Sequence, residues 1–339
     1  MRPATAFALS LLLASCTKQT PRTADLDRTA TLLGGERGLD HVGIAVRDLD
    51  AATHTFHDLL GFDRPTAGTL PNGIRNVNYY FPDATYLETM VHWDRERAPW
   101  LAAFTDHHEG ALFTVLAAFS PEDTNAFLAR RNIRIASIYA GTIQTAADAA
   151  MPDEKWKTFF LPDGQLPGDP LYFIAYRRAE RDDYLRKLES RAARRQLYHA
   201  NTVLGLRAAW IAVPDLATAT RAYEAIGLPR GRSFRDPQLR ADGQVFEAGR
   251  GQLWLIAPTA GAPDSPVAAF LRERGGPAVL GVTLAAGSLP ACARLLAART
   301  GRSFPEYDGV LGRSIRVPPD LAHGVWLELA QHLVPGATP

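Results

Sequence analysis

The stretch "GLDHVGIAVRDLDAA", residues 38–52, sets one imidazole, His41, at the mouth of what reads as a buried strand, ahead of an apolar run that ends at the Asp48-Leu49-Asp50 turn. A carboxylate, Glu88, stands in "ATYLETM", inside another strand pattern. Imidazole and carboxylate groups accept and return protons near neutral pH and bind divalent metals. Between them, "NGIRNVNYYF" supplies Arg75, Asn76 and Asn78, and on a strand 76 and 78 share one face. Two amides beside a histidine and a carboxylate could hold a carbonyl or hydroxyl group. The same stretch also reads as a hairpin turn at Asn72-Gly73 followed by exposed polar residues. Further candidates are His199 in "LYHAN" and His107 and His108 in "DHHEG", the last two in a loop ahead of a strand. His54 and His57 are spaced i, i+3 and read as an exposed helix face.

An internal repeat carries these groups. "LDHVGIAVRDLDAATHTF" from Leu39 and "LRAAWIAVPDLATATRAY" from Leu206 share "IAV", "DL" and a helical start at a constant offset of 167 residues. Each copy reads as a strand, a turn begun by Asp48 or Asp215, an amphipathic helix closed near Gly61 or Gly227, and then strands. Weaker copies open at Gly110, "GALFTVLAAFSPEDTNAFLARRNI", and at Ala278, "AVLGVTLAAGSLPACARLLAARTG". Four strand-helix-strand-strand-strand modules therefore fill residues 38 to about 332. The Arg177 to Asn201 segment between the second and third mixes basic and acidic residues in a helical pattern and reads as a solvated linker.

The N-terminus stands apart. A single early positive residue, Arg2, precedes an apolar run of signal-peptide length that is too short to span a bilayer as a mature helix, and the run ends in "LASC". This resembles a bacterial lipobox, in which Cys16 would become the acylated N-terminus, with Thr17 after it favouring the outer membrane. An ordinary cleaved signal is the alternative. Cys292, the other of the two cysteines, lies in "LPACARLLAAR" and reads as a packed, inert thiol. With 37 Lys and Arg against 36 Asp and Glu, no overall field would hold nucleic acid or a membrane surface, so a lipid anchor would be the only link to a membrane. No phosphate-cradling Gly-x-x-x-x-Gly-Lys, Cys-x-x-Cys knuckle or Gly-x-Ser-x-Gly elbow is present.

Paired modules with "LDHVGIAVRDLDAA" opening and "YLE" closing the first resemble the vicinal oxygen chelate superfamily, most nearly its glyoxalase-like branch. The resemblance covers nearly the whole mature chain. It implies an α+β fold in which four βαβββ modules pair into two curved-sheet domains. The expected boundaries are a signal peptide 1–16, a tether 17–37, a first domain 38–178, a linker helix 179–201, a second domain 202–332 and a tail 333–339. It further implies a divalent metal (Fe, Mn, Ni, Zn or Co) in a cup, held by His41 and Glu88, with Glu88 also a base and His199, followed by Asn201, the leading third ligand. Arg75, Asn76 and Asn78 would line the cup around a small oxygenated substrate.

Isomerase, lyase and extradiol dioxygenase chemistries fit that scaffold. The competing reading is a metal-free periplasmic protein that binds or sequesters a small molecule. At the offset of 167, His41 becomes Ala208 and Glu88 becomes Leu255, so the second domain's cup is expected to be apolar and metal-free. The second module has Phe113 at the first-strand position and Ala175 and Tyr176 near the last-strand one. The fourth has Gly281 and, at an offset of 240 from Glu88, Glu328.

Overall fold

The computed structural model describes residues 27–141, 155–162, 164–168 and 171–331. The first module runs β1 Gly38–Ala45, α1 Leu49–Thr53, which continues as a wider π turn over His54–Leu59, β2 Thr66–Leu70, β3 Ile74–Tyr80 and β4 Tyr86–His92. Helix α2, Pro99–His107, leads to the second: β5 Gly110–Ala117, α3 Pro121–Ala129, β6 Ser137–Gly141, β7 Trp156–Phe160 and β8 Leu171–Tyr176. After α4, Arg178–Ala193, the third has β9 Val203–Ala212, α5 Leu216–Ala225, β10 Arg230–Asp236, β11 Ala241–Ala248 and β12 Gly251–Pro258. Helix α6, Pro266–Arg274, precedes the fourth: β13 Ala278–Ala286, α7 Leu289–Thr300, β14 Tyr307–Gly309, β15 Gly312–Val317 and β16 Trp326–Gln331.

Local chemistry starts these helices where the repeat places them. Asp48 accepts from the N–H groups of Asp50 and Ala51, and Asp215 accepts from that of Thr218, satisfying donors that a first helical turn leaves without partners. Ser120 and Ser288 cap α3 and α7 in the same way.

The modules pair as the resemblance implies. One curved sheet has the order β2-β3-β4-β1-β5-β8-β7-β6, the other β10-β11-β12-β9-β13-β16-β15-β14. Each is joined at its centre by antiparallel first strands, β1 with β5 and β9 with β13. Alternation sends Val42, Ile44, Ala209, Ile211, Val282 and Leu284 to one side, where they share a core with helix residues such as Phe56, Phe127, Tyr223 and Leu296. The sheets thus meet through their helix-covered faces and keep their concave faces outward. Where they touch, Gly38 bridges to Gly249. With φ +83°, Gly38 takes a conformation that favours glycine, and a Cβ there would collide with the carbonyl of Ala248.

Two connecting segments differ from expectation. Of the tether, residues 27–37 dock on the first domain: Leu32 and Leu33 are buried in the core, the Thr124 hydroxyl donates to the Leu32 carbonyl and the Phe119 N–H to that of Leu33. Two adjacent leucines outweigh the polar residues around them. The linker helix is not a wholly solvated rod either, because Leu188 and Leu197 are buried with Ala84 in a small cluster. Among the described residues no helix is long and apolar enough to cross a membrane; Cys16 and the run before it lie outside those residues.

Candidate active site

The concave face of the first sheet brings His41 and Glu88 together. In the parallel β1–β4 ladder His41 pairs with Tyr86 and Gly43 with Glu88, so 41, 43 and 88 project to one face. His41 Nε2 lies 3.5 Å from Glu88 Oε2, and the two residues are 5% and 7% exposed. Asn78 pairs with Glu88 and Asn76 with Met90, which puts both amides on that face. Asn76 Nδ2 donates to Glu88 Oε1 at 2.6 Å, and Asn78 Nδ2 donates to the Tyr80 hydroxyl at 3.2 Å. The amide oxygens of both are buried without a hydrogen-bond partner. Arg75 points to the opposite face and is exposed; the strand alternation that unites 76 and 78 takes it out of the cup.

A residue that strand alternation alone would send to the other face completes the site. The β1–β5 register slips between Leu39 and His41, leaving Asp40 as an extra residue in β1. Such a bulge re-aims a side chain. Asp40, wholly buried, accepts from His41 Nδ1 at 2.9 Å, from the Tyr176 hydroxyl at 3.0 Å, and from Arg37, with which it forms an ion pair. Burial alone would raise its carboxyl, but Arg37, His41 and Tyr176 reverse this and hold it below the usual carboxylate range. An ionised carboxylate only accepts, so Nδ1–H donates to Asp40, and Nε2 is the nitrogen that faces Glu88. The His41 ring lies flat on that of Tyr86, 4.3 Å between centroids. Burial pushes the Tyr86 and Tyr176 hydroxyls well up, so both stay neutral.

His199 is not part of this group. It is buried on the other side of the sheet, edge-on to Phe62 and Phe81, with Nε2 donating to the Tyr80 carbonyl at 3.1 Å. Burial lowers its imidazole to about 4. His107 is exposed, and Glu109 is engaged between the domains, accepting from the Arg47 N–H and facing His323. His54 and His57 both contact the exposed Asp58. Cys292 is buried with its thiol donating to the Asn201 carbonyl, and burial pushes that thiol up.

The donors fit a resident divalent ion poorly. A separation of 3.5 Å between His41 and Glu88 matches one edge of a tetrahedral site with ligand bonds of about 2.1 Å. Catalytic sites commonly have three protein ligands, and among the described residues no group of three or more His, Cys, Asp or Glu could hold a metal. The second module supplies nothing in compensation. Gly43 pairs with Phe113 and Val115 with Tyr172, making Phe113 and Tyr172 the counterparts of His41 and Glu88. Their rings stack on each other, 4.8 Å between centroids, and Phe113 lies over Gly43, where a Cβ would run into it.

The second cup is filled. Ala208 stands opposite His41 in the repeat, but β12 pairs Trp254, not Leu255, with Trp210. Since Trp210 corresponds to Gly43, the counterpart of Glu88 is Trp254, and Leu255 turns into the core on the other face. One residue of register inverts every side chain. Trp210 and Trp254 stack at 5.7 Å. This cup is not purely apolar as expected. Glu328, paired with Thr283 as Glu88 is with Gly43, is wholly buried and accepts from Thr283, Tyr307 and Arg316. Arg316 in turn pairs with Asp236 at 2.6 Å.

Comparison with known proteins bears on this architecture. A family model described as Glyoxalase-like domain matches residues 39–227. Among solved structures, a mutant of 4-hydroxymandelate synthase from Streptomyces coelicolor is 13% identical, with 89% of this chain and 94% of that one covered at a TM-score of 0.55. A hypothetical protein from Staphylococcus aureus is 10% identical, with coverage of 87% and 99% and a TM-score of 0.54. Methylmalonyl-CoA epimerase from Mycobacterium tuberculosis is 25% identical over 40% of this chain and 91% of that one, with a TM-score of 0.35. At such identities the first two show the fold across both sheets. No curated protein matches the chain.

Proposed function

Because the chain belongs to the glyoxalase-like domain family, we propose that it binds a small oxygenated molecule in the first cup, where His41 and Glu88 exchange protons with it. The observation that carries this reading is the gap between His41 Nε2 and Glu88 Oε2. The two atoms face each other at 3.5 Å, too far for a good hydrogen bond, and both residues are buried. A ligand group seated beside the pair, at the cup surface, can reach both atoms. Asn76 and Asn78 add two more unpartnered acceptor oxygens, so the preferred ligand presents hydroxyl groups beside its carbonyl. Asp40 offsets the charge that appears on His41 when it takes a proton from the carbon beside the carbonyl, the imidazolium can return that proton to the neighbouring carbon, and Glu88 can take up the hydroxyl proton and release it to the other oxygen, which makes isomerase or lyase chemistry at an α-hydroxycarbonyl the best-supported class. The donor set supplies no step through a metal. Titrating metal-stripped protein with Fe, Mn, Ni, Zn and Co should show no tight site that needs both residues.

Thermal unfolding against a panel of α-hydroxycarbonyl and enediol compounds tests this. At least one should raise the midpoint of the wild type. His41→Ala should weaken that ligand about 10- to 100-fold, the worth of a hydrogen bond to a charged group, with the fold intact because Ala208 occupies the equivalent position. A panel that shifts wild type and variant equally, or neither, overturns the proposal. A compound that binds without turning over points to sequestration on the same site.

The N-terminal stretch supports a lipid-anchored, periplasm-facing protein of a Gram-negative outer membrane, since "LASC" follows an apolar run of signal length. Cys16→Ala should move the protein from the membrane to the soluble fraction; unchanged partition refutes the anchor.

A further inference from the structure

We infer that Asp40 is a positioning residue that locks His41 in the tautomer with its proton on Nδ1 and its Nε2 lone pair aimed into the cup. The inference deepens the reading of His41 as the reacting imidazole and rests on it for its functional meaning. Its geometric basis is separate. A regular strand would send the side chains of 40 and 41 to opposite faces, and the bulge at Asp40 instead brings its carboxylate to 2.9 Å from Nδ1.

The carboxylate is itself held on several sides. Arg37 pairs with one oxygen, and the Tyr176 hydroxyl reaches the other from the far module. Arg37 is fixed in turn. Its guanidinium donates to the Ala84 carbonyl at 3.2 Å, and its own carbonyl accepts the Arg250 N–H at 2.7 Å beside the Gly38–Gly249 bridge. The second domain, its own cup filled, thereby braces the strand that carries the first domain's imidazole. A carboxylate behind a histidine sets which nitrogen is protonated and what the other can do. With the opposite tautomer Nε2–H would face Glu88 Oε2 at 3.5 Å, and Nδ1 would set a lone pair against an ionised carboxylate.

The test is a long-range proton–nitrogen correlation spectrum of full-length protein with 15N-labelled histidine, recorded without ligand above the imidazole titration range, with His41 assigned by its loss in His41→Gln. Wild type should show a protonated, pyrrole-type Nδ1 and a pyridine-type Nε2. Asp40→Asn should lose this single signature and give a mixture of tautomers. Tyr176→Phe, which keeps the carboxylate and removes one hydrogen bond, should retain it. If Asp40→Asn does not fold because the buried Arg37–Asp40 pair is broken on one side, the Arg37→Gln/Asp40→Asn pair removes both charges together and should show the same mixture. A wild type with the proton on Nε2, or an Asp40→Asn or paired variant with an unchanged signature, overturns the inference. Because no ligand is used, the expected tautomer with an empty compound panel would sink only the functional reading.

Discussion

Replacing Arg316 by methionine should destabilise the protein by about 3–5 kcal/mol, the usual consequence of removing one partner from a buried ion pair. The Arg316 side chain is 6% exposed, Glu328 is wholly buried, and Asp236 shares with it the Nη2 group of the guanidinium. Two carboxylates would then face a cup walled by Trp210, Tyr307 and Trp326, over whose rings the guanidinium now lies. Burial already pushes the Glu328 carboxyl up, and its hydrogen bonds from Tyr307 and Thr283 and the charge of Arg316 work against that. Adding Glu328→Gln to Arg316→Met should recover part of the loss, because a neutral amide costs less to bury than an uncompensated charge. Urea midpoints of the two variants check this, and a loss below about 1 kcal/mol for Arg316→Met would show that the network is not coupled as its geometry implies. Glu88 and Glu328 hold the same place in their modules, yet Glu328 has an arginine as its partner across β15 and β16, whereas Glu88 has an amide on one oxygen and His41 Nε2 before the other. That difference gives one glutamate a counter-charge and leaves the other without an arginine.

Stability should also fall in mild acid, and His199 should account for about 3 kcal/mol of the fall. In the unfolded chain this imidazole takes a proton near 6.5, and in the fold burial lowers that to about 4. Between the two values the unfolded state holds the extra proton, so the contribution is fully present above about pH 7 and is lost as pH drops towards 4. A proton on the folded state would set a charge at the edges of Phe62 and Phe81, where a ring's quadrupole repels a cation, and Nδ1 has no hydrogen-bond partner. Denaturant unfolding at pH 7.5 and 4.5 should show His199→Gln less stable than wild type at the higher pH but with the flatter pH dependence. Parallel profiles would remove His199 as the cause.

Features set by local interactions were legible in the chain. Asp48 and Asp215 cap helices because their side chains reach N–H groups two or three residues on, and the repeated "IAV" and "DL" place the same strand and turn twice. Four modules in order follow from that. Alternation put Asn76 and Asn78 on one face, and applied one residue further it would have excluded Arg75. Where a local signal was read too simply, as with the polar composition around Leu32 and Leu33, packing against the rest of the domain corrected it.

What the sequence by itself determined about this protein is therefore its modular order and its helix starts, which depend on periodicity and neighbours close along the chain, while the pairing of His41 with Glu88 was implied by the family resemblance. Only the tertiary structure decided the rest. The bulge that turns Asp40 onto His41 is a mismatch between two strands that start 72 residues apart, at Gly38 and Gly110, invisible within either. Trp254 rather than Leu255 answers Glu88 because ladder hydrogen bonds, not residue counts, set the register. His199 lies in an aromatic niche built by residues more than 100 positions away, although its own neighbours read as a polar approach to a site. Asp236 meets Arg316 across 80 residues. For Asp40, His199 and Arg316 the deciding energy is desolvation of a polar group by surfaces distant in sequence, and that is settled only when the sheets close and pack.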